Sequence, residues 1–150
     1  MDQLGPNSYD VSLGHFFVSV DWNGITPVFS EPAYYKNGEF VEIPPGETVL
    51  GITNETIGAK NGLVLQMHSK SSTRRTGLSV VLDAGLADLG YCAQWTVELS
   101  CHTKHSAYLS VGQLFAQIVF HEAQKSEHLY QGQYKNNDYP RNMIPEKYRK

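Results

Sequence analysis

No stretch of the chain approaches the roughly 18 consecutive apolar residues that a membrane-spanning helix requires. The opening segment through Gly14 also lacks the charged and apolar regions of a secretory leader. No membrane role is expected, and the sequence reads as cytoplasmic. Basic residues are scarce as well. Twelve Lys and Arg against fifteen Asp and Glu leave a net charge of -3, with no cationic excess to neutralise a polynucleotide backbone. No polynucleotide partner is expected, and any nucleic-acid link should be to monomers. Only two cysteines occur, Cys92 and Cys101, both in one alternating segment, which argues for free thiols and against a disulfide framework. A zinc-dependent base deaminase needs a His or Cys, a nearby Glu and a Cys-x-x-Cys pair, and no such pair exists. His121-Glu122 opens like a metalloprotease motif, but Lys125 stands where the second His belongs. No metal ligand set is therefore assigned.

Helical stripes are missing too, and what recurs from end to end is period-two alternation with β-branched and aromatic runs between turn signals. The pattern predicts an all-β domain with strands over 16–22, 40–43, 48–52, 63–67, 78–82, 92–101 and 114–120. A length of 150 residues suits one domain with a real core. Asn37-Gly38 suits a two-residue hairpin, and Pro44-Pro45-Gly46-Glu47 and Asn61-Gly62 read as turns. One short helix is predicted, from Ser71 or Ser72 through Arg75, with a serine as its cap. The β domain is placed at 1–135. A polar tail follows over 136–150, expected to order over a ligand or a neighbouring subunit.

Four segments carry candidate chemistry. In Ser69-Lys70-Ser71-Ser72-Thr73-Arg74-Arg75, hydroxyls, cations and the free N–H groups of a helix start make either a phosphate cradle or a solvated loop with a capping serine. Asp83-Ala84-Gly85-Leu86-Ala87-Asp88-Leu89-Gly90-Tyr91 reads as a long hairpin loop. Its glycines permit close backbone approach to a ligand, and Tyr91 offers a face for a sugar or ring; a plain surface hairpin is the alternative. Alternation over 92–101 puts Gln94, Thr96 and Glu98 on one face and Trp95, Val97 and Leu99 on the other. Glu98 then either meets solvent or points into a cleft as a general base. Gln117 interrupts an apolar strand, so its amide bonds either backbone or a ligand.

Taken in order, these segments resemble the dCTP deaminase family, within the dCTP deaminase and trimeric dUTPase superfamily, from Gly5 to about Tyr134. Asn7-Ser8-Tyr9-Asp10-Val11-Ser12-Leu13-Gly14 is similar to the family's opening strand. Pro45-Gly46-Glu47 with Val49-Leu50-Gly51 is similar to its central hairpin, and Ser71, Ser72 and Arg75 match its Arg-Ser-Ser-x-x-Arg pattern with Lys70 at the first Arg. Ala84-Gly85-Leu86-Ala87-Asp88 resembles the nucleotide-reading loop, Gly112 through Phe120 the glycine-to-glutamine strand, and Tyr130-Gln131-Gly132-Gln133 the deaminase tail, preceded here by Leu129 instead of Lys. Glu98 falls where the family carries its catalytic glutamate. The glycine-rich, arginine-containing closing motif of trimeric dUTPases does not occur.

The resemblance implies a compact distorted β-barrel of jelly-roll type, assembled as a homotrimer with sites between subunits. It further implies metal-free deamination of dCTP to dUTP and ammonia. Glu98 would activate the water, with Ser71, Arg75 and the backbone of Ala84 fixing it. Lys70, Ser72 and Gln117 would hold phosphates, Asp88 the sugar 3'-hydroxyl and Tyr91 the deoxyribose; Tyr130 and Gln133 would join the substrate-binding set. Mg²⁺ would ride on the triphosphate of the deoxynucleoside substrate. The alternatives are a dUTP diphosphatase, a bifunctional enzyme, or a non-catalytic nucleotide-sensing trimer.

Overall fold

The computed structural model describes residues 3–60, 62–135 and 139–149. Twelve strands and one five-residue helix appear among them: β1 (Ser8–Ser12), β2 (Phe16–Trp22), β3 (Pro27–Phe29), β4 (Ala33–Tyr34), β5 (Phe40–Ile43), β6 (Thr48–Gly58), β7 (Leu63–Ser69), α1 (Ser71–Arg75), β8 (Leu78–Ser79), β9 (Leu86–Ala87), β10 (Cys92–Cys101), β11 (Ala107–Ser110) and β12 (Leu114–Glu122). Two 3-10 turns, Arg141–Met143 and Glu146–Tyr148, close the chain. The fold is all-β, and every strand pairing within its sheets is antiparallel.

One sheet runs β1-β12-β7-β9; the other runs β3-β2-β6-β10-β8, with β4 on β2; β5 and β11 form a separate pair. Alternating residues of both large sheets meet in one core. Val11 of β1, Leu65 and Met67 of β7 and Phe115 and Ile118 of β12 pack with Phe17 of β2 and Trp95, Val97 and Leu99 of β10. A smaller cluster lies apart from it: Val18, Leu50 and Ile52 packed with Met143 from the C-terminal segment. Phe115 is fully buried in the main core. Its truncation to Ala removes that packing and is expected to cost about 3–5 kcal/mol. Urea unfolding would show this as a lower midpoint at unchanged slope, and a loss below about 1 kcal/mol would contradict the placement.

Three local expectations change. The helix starts at Ser71, but its N-cap is Lys70, and no side chain caps it; both serines fall in the first turn. Asn37-Gly38 does form a turn, with Glu39 N–H donating to the Lys36 carbonyl at 3.1 Å. It joins no hairpin, because β4 pairs with β2 and β5 with β11. The strand expected over 78–82 stops at Ser79. In the turn at Asn61-Gly62, Leu63 N–H donates to the Lys60 carbonyl, and Asn61 itself lies outside the described residues.

Candidate active site

Glu98 is placed by strand register. Val18 of β2, Leu50 of β6 and Glu98 of β10 stand side by side across three strands, so all three project from one face of the sheet. The opposite face of β10 carries the buried Trp95, Val97 and Leu99, which hold the strand against the core. Of the two settings open to Glu98, the structure selects the cleft. It lines a cavity of about 890 Å³ with Trp22, Asp88, Tyr91, Trp95 and Tyr134. Its Oε2 is shut away from solvent and has no hydrogen-bond partner among the described residues. Burial raises the pKa of the carboxyl above its ordinary value, against a smaller lowering by a hydrogen bond from its own backbone.

The loop over 83–91 forms a second wall. β9 docks on β7 through the Leu65–Ala87 and Gln66–Leu86 pairs, and Met67 N–H donates to the Gly85 carbonyl at 2.7 Å. Glycine is required there by space, since a Cβ would stand 2.8 Å from the Met67 carbonyl oxygen. The loop turns its Ala84, Asp88 and Tyr91 to the cavity. Tyr91 meets Trp95 and Tyr130 edge-on, at 5.6 and 5.4 Å between ring centroids. Tyr130 is set by its own N–H, which donates to the Leu89 carbonyl at 2.7 Å. Burial raises the pKa of the Tyr91 phenol strongly, with Tyr139 and Tyr130 nearby adding to it, and burial likewise raises Tyr134 and Tyr139. All three phenols therefore stay protonated at neutral pH and act as hydrogen-bond donors, and the carboxyl groups lining the cavity are those of Asp21, Glu47, Asp88 and Glu98.

The expected phosphate side lies elsewhere on the chain. Ser71, Ser72 and Arg75 are exposed and do not line the Glu98 cavity. Lys70 is committed to an ion pair with Asp10. Gln117 is half-buried, aligned between Asp10 of β1 and His68 of β7. Gln133 is exposed, and its Oε1 accepts the Glu146 N–H at 3.1 Å. One chain thus gathers Glu98, Ala84, Asp88, Tyr91 and Tyr130, and carries Lys70, Ser71, Ser72, Arg75 and Gln117 on another surface.

The dCTP deaminase-like family model matches residues 1–123 of the chain. The chain belongs to the dCTP deaminase-like family. Among curated dCTP deaminase-like relatives, the "dCTP deaminase, dUMP-forming" of Dictyoglomus thermophilum is 34% identical over 131 residues, 80% of this chain and 66% of the relative. That of Clostridium beijerinckii is 33% identical over 144 residues, 90% and 78% respectively. A dCTP deaminase of Haloarcula marismortui is 31% identical over 131 residues, covering 80% and 67%. The chain therefore spans about two thirds of the length of the first relatives it matches. Among solved structures, the 2'-deoxycytidine 5'-triphosphate deaminase of Agrobacterium tumefaciens superposes with a TM-score of 0.64 at 20% identity, over 80% of this chain and 40% of that one. The EIAV dUTPase superposes with a TM-score of 0.53 at 18% identity, over 87% and 98%. Both likenesses establish the fold that the dCTP deaminase-like family shares with dUTPases.

Several lining residues of this family member escaped sequence reasoning. Trp22, Thr96, Tyr134, Tyr139, Asn142 and Met143 all face the cavity. Thr96 was legible in principle, two residues before Glu98 on the same face. The C-terminal residues left a fainter trace. Tyr139, Met143, Ile144 and Tyr148 are the apolar and aromatic positions of a polar tail, and they are the ones that dock against the chain's own sheet. The segment over 139–149 thus packs on its own chain, where these side chains cover an apolar face of β2 and β6.

Proposed function

We propose that this protein hydrolytically deaminates the cytosine of a deoxynucleotide, with dCTP as substrate and Glu98 as the general base. The supporting observation is the buried carboxylate oxygen with no partner among the described residues, facing a cavity of nucleotide size. An unpartnered oxygen in that position calls for a water or a ligand. Glu98 takes a proton from water, the hydroxide adds to C4, the C4–N bond breaks, and the same carboxyl returns the proton to the departing ammonia. Burial suits the group to this exchange by drawing its pKa toward working pH. Tyr91 would pack the deoxyribose and disfavour a 2'-hydroxyl.

The phosphate-binding residues would come from a neighbouring subunit of a homotrimer, because Ser71, Ser72, Arg75 and Gln117 do not reach the Glu98 cavity of their own chain. Lys70 would join them by exchanging Asp10 for phosphate. Mg²⁺ would enter as part of the substrate, neutralising the triphosphate; no group of three or more metal-ligating side chains occurs among the described residues to hold a resident ion.

Asp88 in the same cavity favours a second reading, in which deamination is followed by loss of pyrophosphate to give dUMP. The names of the Dictyoglomus and Clostridium relatives, dUMP-forming dCTP deaminases, point the same way. Incubation with dCTP and Mg²⁺, followed by chromatography and an ammonia assay, decides among these. Ammonia with dUTP supports the deaminase alone, and ammonia with dUMP and pyrophosphate supports the bifunctional enzyme. Intact dCTP, with dUTP cleaved in a parallel reaction, would replace both with a diphosphatase. Inertness toward both nucleotides would leave a nucleotide-sensing protein.

A further inference from the structure

The segment over 139–149 lies beyond the residues matched by the family, and it is built against the sheet face that carries Glu98. Met143 is 2% exposed and packs with Val18, Leu50 and Ile52; Leu50 is the direct cross-strand neighbour of Glu98. Tyr139 hydrogen-bonds the Gln94 carbonyl, four residues before Glu98 on β10, and its phenol helps to raise the pKa of Tyr91. The segment is held in one shape by Arg149, which donates to the Ile144 carbonyl at 2.8 Å and to Asn142 Oδ1 at 3.0 Å. Tyr148 anchors its end against Phe29, at 5.4 Å between centroids. Tyr139, Asn142, Met143 and Pro145 line the cavity of about 890 Å³, so the segment forms one of its walls.

We propose that this segment is a positioning element for Glu98: Tyr139 and Met143 clamp it over β6 and β10, where it shields one side of the carboxylate from water. The inference rests on Glu98 as the reacting group. Without the segment, the apolar stripe of Val18, Leu50 and Ile52 opens to solvent, and water reaches the flank of Glu98. A carboxylate regains solvation there, and its proton affinity falls toward that of a free side chain. The other titratable groups facing Glu98 do not act in that direction. Asp21 of β2, Glu47 before β6 and Asp88 of the loop carry its own sign, and Tyr91, Tyr134 and Tyr139, raised by burial, are neutral at working pH; the Arg149 cation, which acts on Tyr134, would leave together with the segment.

The test is a carbon-detected NMR titration of the Glu98 carboxyl in the full-length protein, alongside Met143→Glu, Tyr139→Ala and Met143→Leu. Met143→Glu forces a charge out of the apolar cluster and undocks the segment. Tyr139→Ala removes the second clamp independently, which covers the case that the first variant fails to fold. The Glu98 midpoint is expected to move down in both and to stay in place in Met143→Leu. The acid limb of the pH–rate profile should move down with it. Direct repulsion from the introduced carboxylate in a segment that stayed docked would push the midpoint up, so the direction separates the two effects. An unchanged or raised midpoint in either folded variant overturns the proposal. Because the titration needs no turnover, it stands or falls apart from the ammonia assay that tests the deaminase reading.

Discussion

Glu98→Gln is expected to lower ammonia release from dCTP by roughly 10³-fold or more, and to raise the thermal midpoint at neutral pH. The first effect follows from loss of the group placed in the cavity to carry the proton from water to the leaving amine, for which general-base removal typically costs about 10²–10⁴. The second follows from linkage. Burial raises the folded-state pKa of Glu98 above its ordinary value of 4.5, so between the unfolded and folded pKa values the folded protein binds more protons than the unfolded one. Stability contributed by this group is therefore fully present at acid pH and declines as pH rises through that window. At neutral pH the wild type bears the cost of an ionised carboxylate in a recess; a neutral amide of the same shape bears less. The variant should gain stability at pH 7 and lose that advantage near pH 4. Calorimetry at both values, with nucleotide binding checked in parallel, separates this from general damage. A variant destabilised at pH 7, or one that still releases ammonia at the wild-type rate, would refute the assignment.

Mixing two inactive chains is expected to restore activity. Glu98→Gln and Arg75→Ala should each be silent when assembled alone, because every site then lacks one of the two proposed groups. If sites form between subunits, a trimer holding both variants contains some sites with Glu98 from one chain and Arg75 from the other. Random co-assembly at equal amounts gives an intact pair in about a quarter of sites, since each of the two contributing chains has an even chance of being the right one. Recovery from near zero to about a quarter of wild-type turnover after co-refolding is a change of two orders of magnitude or more. Activity that never rises above the sum of the separate variants would place both groups in one chain's site, or remove Arg75 from it. The geometry already argues against the first outcome, because Arg75 does not line the cavity of its own chain.

Most strand positions were legible because the chain alternates cleanly where one face is buried. The segments expected over 16–22, 40–43 and 92–101 match β2, β5 and β10, and the short helix occupies its expected place. Among the strands that alternation missed, β3, β4, β9 and β11 have two to four residues each, too few for a period-two pattern to stand out, and β1 was marked only by the family resemblance of 7–14. Turn chemistry misled once. Asn37-Gly38 has the residues of a hairpin turn, but strand pairing is decided by distant partners, and β5 found β11. The serines of the helix were read as caps on residue type alone, whereas the chain enters the helix one residue earlier, at Lys70.

By itself the sequence determined the all-β class and the facing of β10, because side-chain alternation is a local property of an extended chain. It also marked Glu98, Asp88 and Tyr91 as candidates, through motifs that fall in the order of the family they resemble. The tertiary structure alone decided that Glu98 enters a cavity, since a half-polar strand face looks the same in sequence whether water or a loop lies over it. It decided as well that Ser71, Arg75 and Gln117 lie away from that cavity, and that Tyr139 and Met143 lie beside it. Such placements depend on which strands pair and on what a tail finds to bury, and both are settled by contacts between residues far apart along the chain.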